Sequence, residues 1–167
     1  MTETIDIDQH YTSDKYVWSL EEKVFILFVQ ASRVFNKYYN AYLNRKLGLS
    51  VSKIAALTVL DMNGGVMNPS DIASSSLTER NNITTLIARM SKEGLVRTER
   101  DQQNKRLVNV IITDKGKQTL DEAAPVIHEV IRRMLFAMSE DNLYLLERPL
   151  RIIRQNAQDG LNGLLES

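Results

Sequence analysis

Between Thr78 and Arg89 the chain gathers side chains of the kind that read nucleic-acid bases. Thr78, Arg80, Asn81, Asn82, Thr84, Thr85 and Arg89 are interleaved with Ile83, Leu86, Ile87 and Met90, which fall at i, i+3, i+4 and i+7. That spacing predicts a helix with one face turned to a core and the other offered to solvent. Asparagine pairs with adenine, arginine pairs with guanine, and the threonine methyl touches thymine. Hydroxyls and a helix N-terminus hold phosphates. The same face would suit any solvated amphipathic helix, so the neighbouring elements have to decide.

Those neighbours favour reading. Asn68 can cap a short helix with Pro69 at its first position, where the missing N–H costs nothing, and Ser74-Ser75-Ser76 makes a turn. Thr78 can cap the next helix and Gly94 can stop it. Leu95 to Arg100 and Arg106 to Ile112 then read as two strands, joined by a tip, Asp101 to Lys105, too polar to bury. At that tip Lys105 and Arg106 could press a cation into a narrow minor groove or against a phosphate. The competing reading makes them charges that protect a short strand edge. Short helix, turn, polar-faced helix and hairpin together describe a winged helix-turn-helix.

The charge distribution agrees. Lysine plus arginine and aspartate plus glutamate both number 21, so the 167 residues carry no formal net charge. Residues 77–106, however, hold seven bases against four acids, while residues 1–22 hold six acids and one base. Phosphate affinity follows the local field more than the total. A chain of this length buries about 70% of its unfolded surface, enough for one core or a small core extended by a subunit interface. The absence of cysteine excludes disulfides, thiolate metal sites and thiol nucleophiles, and makes a reducing cytoplasm the expected location. No signal-peptide pattern opens the chain, and no apolar run approaches the ~20 residues of a membrane span.

The flanks read as helices. Residues 1–15 are acidic and aperiodic, a flexible arm. Ser19-Leu20-Glu21-Glu22 fits a capping box that opens a helix to about Leu47, apolar on several sides and so expected to be covered on several sides. Ser50 can cap a helix whose core face is Ile54, Leu57, Val59 and Leu60, ended by Asn63-Gly64-Gly65. Thr113-Asp114 starts a fifth helix, with Leu120, Ala123, Ala124, Ile127, Ile131, Met134, Leu135 and Met138 at nearly a seven-residue period. Ser139 starts a sixth with Leu143, Leu146, Leu150, Ile153 and Ala157. Seams of that period pack on other helices. Pro125 and Pro149 should bend these two.

Leu49 to Pro125, just under half the chain, resembles the MarR family of bacterial winged-helix regulators. The resemblance is carried by Leu86-Ile87-Ala88-Arg89-Met90-Ser91-Lys92-Glu93-Gly94-Leu95-Val96, by the paired bases at the wing, and by Val110-Ile111-Ile112-Thr113-Asp114-Lys115-Gly116. Where the family usually has an aspartate before the wing bases, this chain has Asn104, which can offer Arg106 only a neutral hydrogen bond. The resemblance implies a mainly α protein with a two-stranded wing, dimerised through helices from both chain ends. On that reading residues 48–114 form the DNA-binding domain, and 16–47 with 115–167 form the dimerisation region. Its partners would be a palindromic double-stranded operator, a second copy, and a small effector that releases DNA. Two-fold symmetry would set the recognition helices in successive major grooves, roughly 34 Å apart.

The effector is less legible. Phe28, Tyr38, Tyr39 and Tyr42 with Arg33 nearby would suit an aromatic or phenolic acid, although core packing explains aromatics at helical spacing equally well. Arg132, Arg133, Arg148, Arg151 and Arg154 would suit the phosphates of an aryl-CoA thioester. Surface pairing with Glu129, Glu140, Asp141 and Glu147 is the alternative. His10 and His128 are the only histidines, without ligand spacing, so no metal or other cofactor is expected. Nor does any nucleophile, base and orienter set point to an enzyme. A winged helix used for protein interaction without DNA remains the competing class, and salt dependence separates the two.

Overall fold

The helix boundaries follow from local capping. Ser19 Oγ accepts from the Glu22 N–H at 3.2 Å, and Glu22 Oε2 accepts from the Ser19 N–H at 2.7 Å, so the capping box forms and opens α1, Leu20–Leu47. Ser50 caps α2, Val51–Met62, through the Lys53 N–H. After a turn come β1, Val66–Met67, and α3, Pro69–Ser75. Then follow α4, Arg80–Lys92, the strands β2, Val96–Arg100, and β3, Val108–Ile112, and the long helices α5, Asp114–Met134, and α6, Glu140–Glu166. Thr113 Oγ1 accepts from the Gly116 N–H, and Ser139 Oγ from the Asn142 N–H, so both expected caps are in place. Helices α5 and α6 continue through Pro125 and Pro149.

This computed structural model describes residues 18–76, 80–100 and 108–166, without the side chains of Arg80, Asn81 and Glu166. The expected arm over 1–15, the Thr78 cap, and the hairpin tip with Asn104, Lys105 and Arg106 lie outside the described residues.

The sheet differs from the expected hairpin in one respect: it has three strands in the order β1-β3-β2, all antiparallel. Val66 pairs with Ile111 and Met67 with Val110, while Gly65 O accepts from the Ile112 N–H at 2.9 Å. A two-residue strand is too short to show alternation, so only its partner reveals it. β2 starts at Val96 rather than Leu95 because the Leu95 N–H closes α4, donating to Met90 O at 2.9 Å, while Gly94 N donates to Ser91 O. That paired closure needs a left-handed residue at Gly94, which has φ 74°.

The chain forms two compact units that divide after His128. The first unit, residues 1–128, holds two groups of buried side chains. In one, Leu57 and Leu60 of α2, Ile72 and Ala73 of α3, Ile83, Leu86, Ile87 and Met90 of α4, and Val96, Val110 and Ile112 of the sheet pack together. In the other, Leu43, Leu49, Ile54 and Ala123 meet, with Tyr39 and Ile127 partly buried against them. The second unit, residues 129–167, is mostly α6, whose Tyr144, Leu146, Leu150, Ile153, Leu161 and Leu164 are exposed. Helix α1 is not covered on several sides in the single chain. Leu43 is its only fully buried residue, and Phe25 and Val34 are 67% and 68% exposed.

Asn68 caps α3 as expected, its Oδ1 accepting from the Asp71 N–H at 2.9 Å. Asn68→Ala should therefore lower stability by about 1 kcal/mol, seen as a lower urea midpoint at unchanged slope. A midpoint equal to that of the wild type would mean that the cap contributes nothing.

Candidate nucleic-acid interface

Helix α4 is built as a reading helix must be. Ile83, Leu86, Ile87 and Met90 are buried, which fixes its inner face, and Asn82, Thr84, Thr85 and Arg89 are exposed on the remainder. Arg80 and Asn81 stand in its first turn by backbone position. Helix α3 precedes it, seated by Ile72 and Ala73 in the same core. Strands β2 and β3 follow in register, Arg100 opposite Val108 at the end from which the wing departs. Arg97 and Arg100 on β2 are also exposed, and Arg97 pairs with Glu99. The fold thus holds Asn82, Thr84, Thr85 and Arg89 on the exposed side of α4, while Thr78, Lys105 and Arg106 lie outside the described residues.

The C-terminal end of α4 carries a set of polar contacts that sequence reading missed. Lys53 Nζ of α2 donates to both carboxylate oxygens of Glu93 at 2.7 Å. Lys115 Nζ of α5 donates to the Glu93 carbonyl, also at 2.7 Å. Thr113 Oγ1 donates to the carbonyls of Gly94 and Leu95 at 2.7 and 3.0 Å. No sequence signal links Lys53 to a glutamate forty residues away, because the pair exists only once α2 and α4 share a core.

The aromatic candidates form a row along α1. Phe35 and Tyr39 ring centroids are 6.0 Å apart, those of Tyr38 and Tyr42 5.9 Å, and Lys46 Nζ lies 5.9 Å from the Tyr42 centroid. Phe28 and Tyr38 are exposed and Tyr39 is half-buried, its burial raising the hydroxyl pKa above the usual phenol value. Arg33 lies about a third of a turn or more around the helix from these rings, so the cation beside them is Lys46. A separate cleft of about 340 Å³ is lined by Leu47, Gly48, Leu49, Glu93, Leu95, Lys115, Thr119 and Glu122 and does not include the aromatic row. Of the arginines on α5 and α6, Arg133 pairs with Glu129 at 2.6 Å and Arg151 with Glu147 at 2.5 Å. Among the described residues no group of three histidines or carboxylates could hold a metal ion, and no helix is long and apolar enough to cross a membrane.

Comparison with known proteins bears on this surface. Residues 47–107 match the model of the MarR family, a span that covers α2 to β2. The chain is 27% identical over 133 residues to the HTH-type transcriptional repressor IacR of Pseudomonas putida, covering 78% of this chain and 79% of that one. A MarR family transcriptional regulator of Streptomyces coelicolor, solved in complex with DNA, superposes with a TM-score of 0.76 at 23% identity, covering 86% of this chain and 92% of that one. The organohalide-sensing regulator RdhR, solved with 2,4-dichlorophenol bound, also gives 0.76, at 22% identity, covering 87% and 85%.

Proposed function

We propose that the chain, which matches the MarR family model over residues 47–107 and is similar to a transcriptional repressor, is a homodimeric DNA-binding repressor, and not an enzyme, released from a palindromic operator by a small aromatic effector. The observation that carries the reading is α4, with Ile83, Leu86, Ile87 and Met90 buried and Asn82, Thr84, Thr85 and Arg89 held outward on a fold that a relative uses on DNA. Arg80 and Asn81 extend that face, and Lys105 and Arg106 contact the backbone or minor groove as the wing. Dimerisation would use 16–47 and 115–167. Its support is the apolar surface that α1 and α6 leave exposed, an arrangement that a lone soluble protomer would rarely keep.

For the effector, Phe28, Tyr38, Tyr39 and Tyr42 supply aromatic walls, with Lys46 rather than Arg33 as the cation for a carboxylate or phenolate. The phenol bound to RdhR supports this class, and the repressor role in the name of IacR supports repression. The aryl-CoA alternative is weakened because Arg133 and Arg151 are already engaged by glutamates on their own helices.

The test is binding to duplexes selected by the protein from a random pool, measured across ionic strength. Affinity should fall steeply with salt, since each phosphate neutralised adds about one unit to the slope of log affinity against log salt. Asn82→Ala should relax base preference by roughly 1–3 kcal/mol at one position, and Arg89→Ala should weaken binding. Salt-independent binding, or wild-type discrimination in both variants, would remove α4 as the reading surface.

A further inference from the structure

We propose that Lys53, Glu93 and Lys115 form a clasp that sets the angle at which α4 meets DNA, so that they act as positioning residues for base reading and not as DNA contacts. The inference rests on the DNA-binding reading above. Glu93 is the first residue beyond α4, and it is gripped from two sides: its carboxylate by Lys53 of α2 and its carbonyl by Lys115 in the first turn of α5. The next two carbonyls, of Gly94 and Leu95, are held by Thr113. One end of the reading helix is thereby tied by directed bonds to α2 and to the start of α5.

The exposure of the pair separates positioning from stability. The Lys53 side chain is 15% exposed but the Glu93 side chain is 43% exposed, so water screens the pair from the Glu93 side and limits what it adds to the folding free energy. Its effect on angle is larger because α4 is a lever. Thirteen residues span about 20 Å, so a tilt of about 5° at the clasped end carries the first turn through roughly 2 Å. Hydrogen bonds to base edges tolerate only about 0.5 Å. The buried Ile83, Leu86, Ile87 and Met90 hold the helix to the core, but apolar contacts are non-directional and resist separation better than tilt. Lys53 and Lys115 direct their ammonium groups at Glu93, so their removal should take away orientation without taking away a phosphate contact.

The experiment uses the full-length protein and a duplex that the wild type selects from a random pool, with affinity measured across ionic strength and thermal midpoints measured in parallel. Lys53→Met and Glu93→Gln are each expected to bind about five- to tenfold more weakly and to discriminate less among base-substituted duplexes. Their melting temperature and salt slope should match the wild type. The charge-swapped double variant, Lys53→Glu with Glu93→Lys, should recover most of the affinity. Wild-type affinity in both single variants overturns the clasp. A salt slope reduced by about one in Lys53→Met overturns it too, by making Lys53 a phosphate contact, and so does an affinity loss that tracks a lowered melting temperature. A wild type that binds no duplex overturns the DNA reading as well as the clasp, whereas the other outcomes leave the DNA reading standing.

Discussion

Replacing Leu161 and Leu164 with aspartate is expected to split the proposed dimer into folded monomers that bind DNA at least about a hundredfold more weakly. The two leucines lie three residues apart on α6 and extend the stripe of Leu146, Leu150 and Ile153. They are 51% and 76% exposed in the single chain, so the protomer itself loses little when they become polar. In a two-fold interface each substitution occurs twice, and four carboxylates would have to be desolvated without partners. A monomer reads one half-site and forfeits the second, intramolecular contact, which is commonly worth 10²–10⁴ in affinity. Sedimentation equilibrium, circular dichroism and duplex titration on the same sample check each step. A double variant that stays dimeric would remove this stripe from the interface. A monomer with undiminished affinity would detach DNA binding from dimerisation.

Gly116→Ala is expected to destabilise the fold by about 2–3 kcal/mol. A methyl group there would collide with the Leu95 carbonyl oxygen and come within 2.8 Å of Ile112 Cγ1 and 3.3 Å of Leu57 Cδ2. Two effects oppose each other, because alanine is favoured over glycine inside a helix by about 1 kcal/mol. The collision wins. The obstructing atom is backbone, already fixed by Thr113 Oγ1 and by the Thr113 N–H, and cannot swing aside as a side chain would. Thermal unfolding at matched protein concentration reads the difference, with exposed Lys117→Ala as a control expected within about 0.5 kcal/mol of wild type. A Gly116→Ala protein as stable as the control would mean that α5 packs less closely on Leu95 than it does here.

Much of this molecule is legible before folding is considered, and the legible parts share a range of interaction. The caps at Ser19, Ser50, Asn68, Thr113 and Ser139 each bond three residues downstream. The inner face of α4 repeats at three and four, and all four residues named for it are buried. On β3, where alternation puts Val108, Val110 and Ile112 on one face, Val110 and Ile112 are buried but Val108, at the strand's first position, is exposed. The composition of α1 states a need for cover on several sides without saying that the same chain supplies it, and in the single chain only Leu43 is fully buried.

The sequence by itself determined where helices start and stop, which face of α4 is apolar, and where bases concentrate, since these depend on residues a few positions apart. Only the tertiary structure decided that Val66–Met67 is a strand, that Gly116 must be small, and that Glu93 joins α2 to α5. These features depend on approaches between segments some twenty or more residues apart. No local periodicity encodes such separations. They come into being when one core draws α2, α4, the sheet and the start of α5 together.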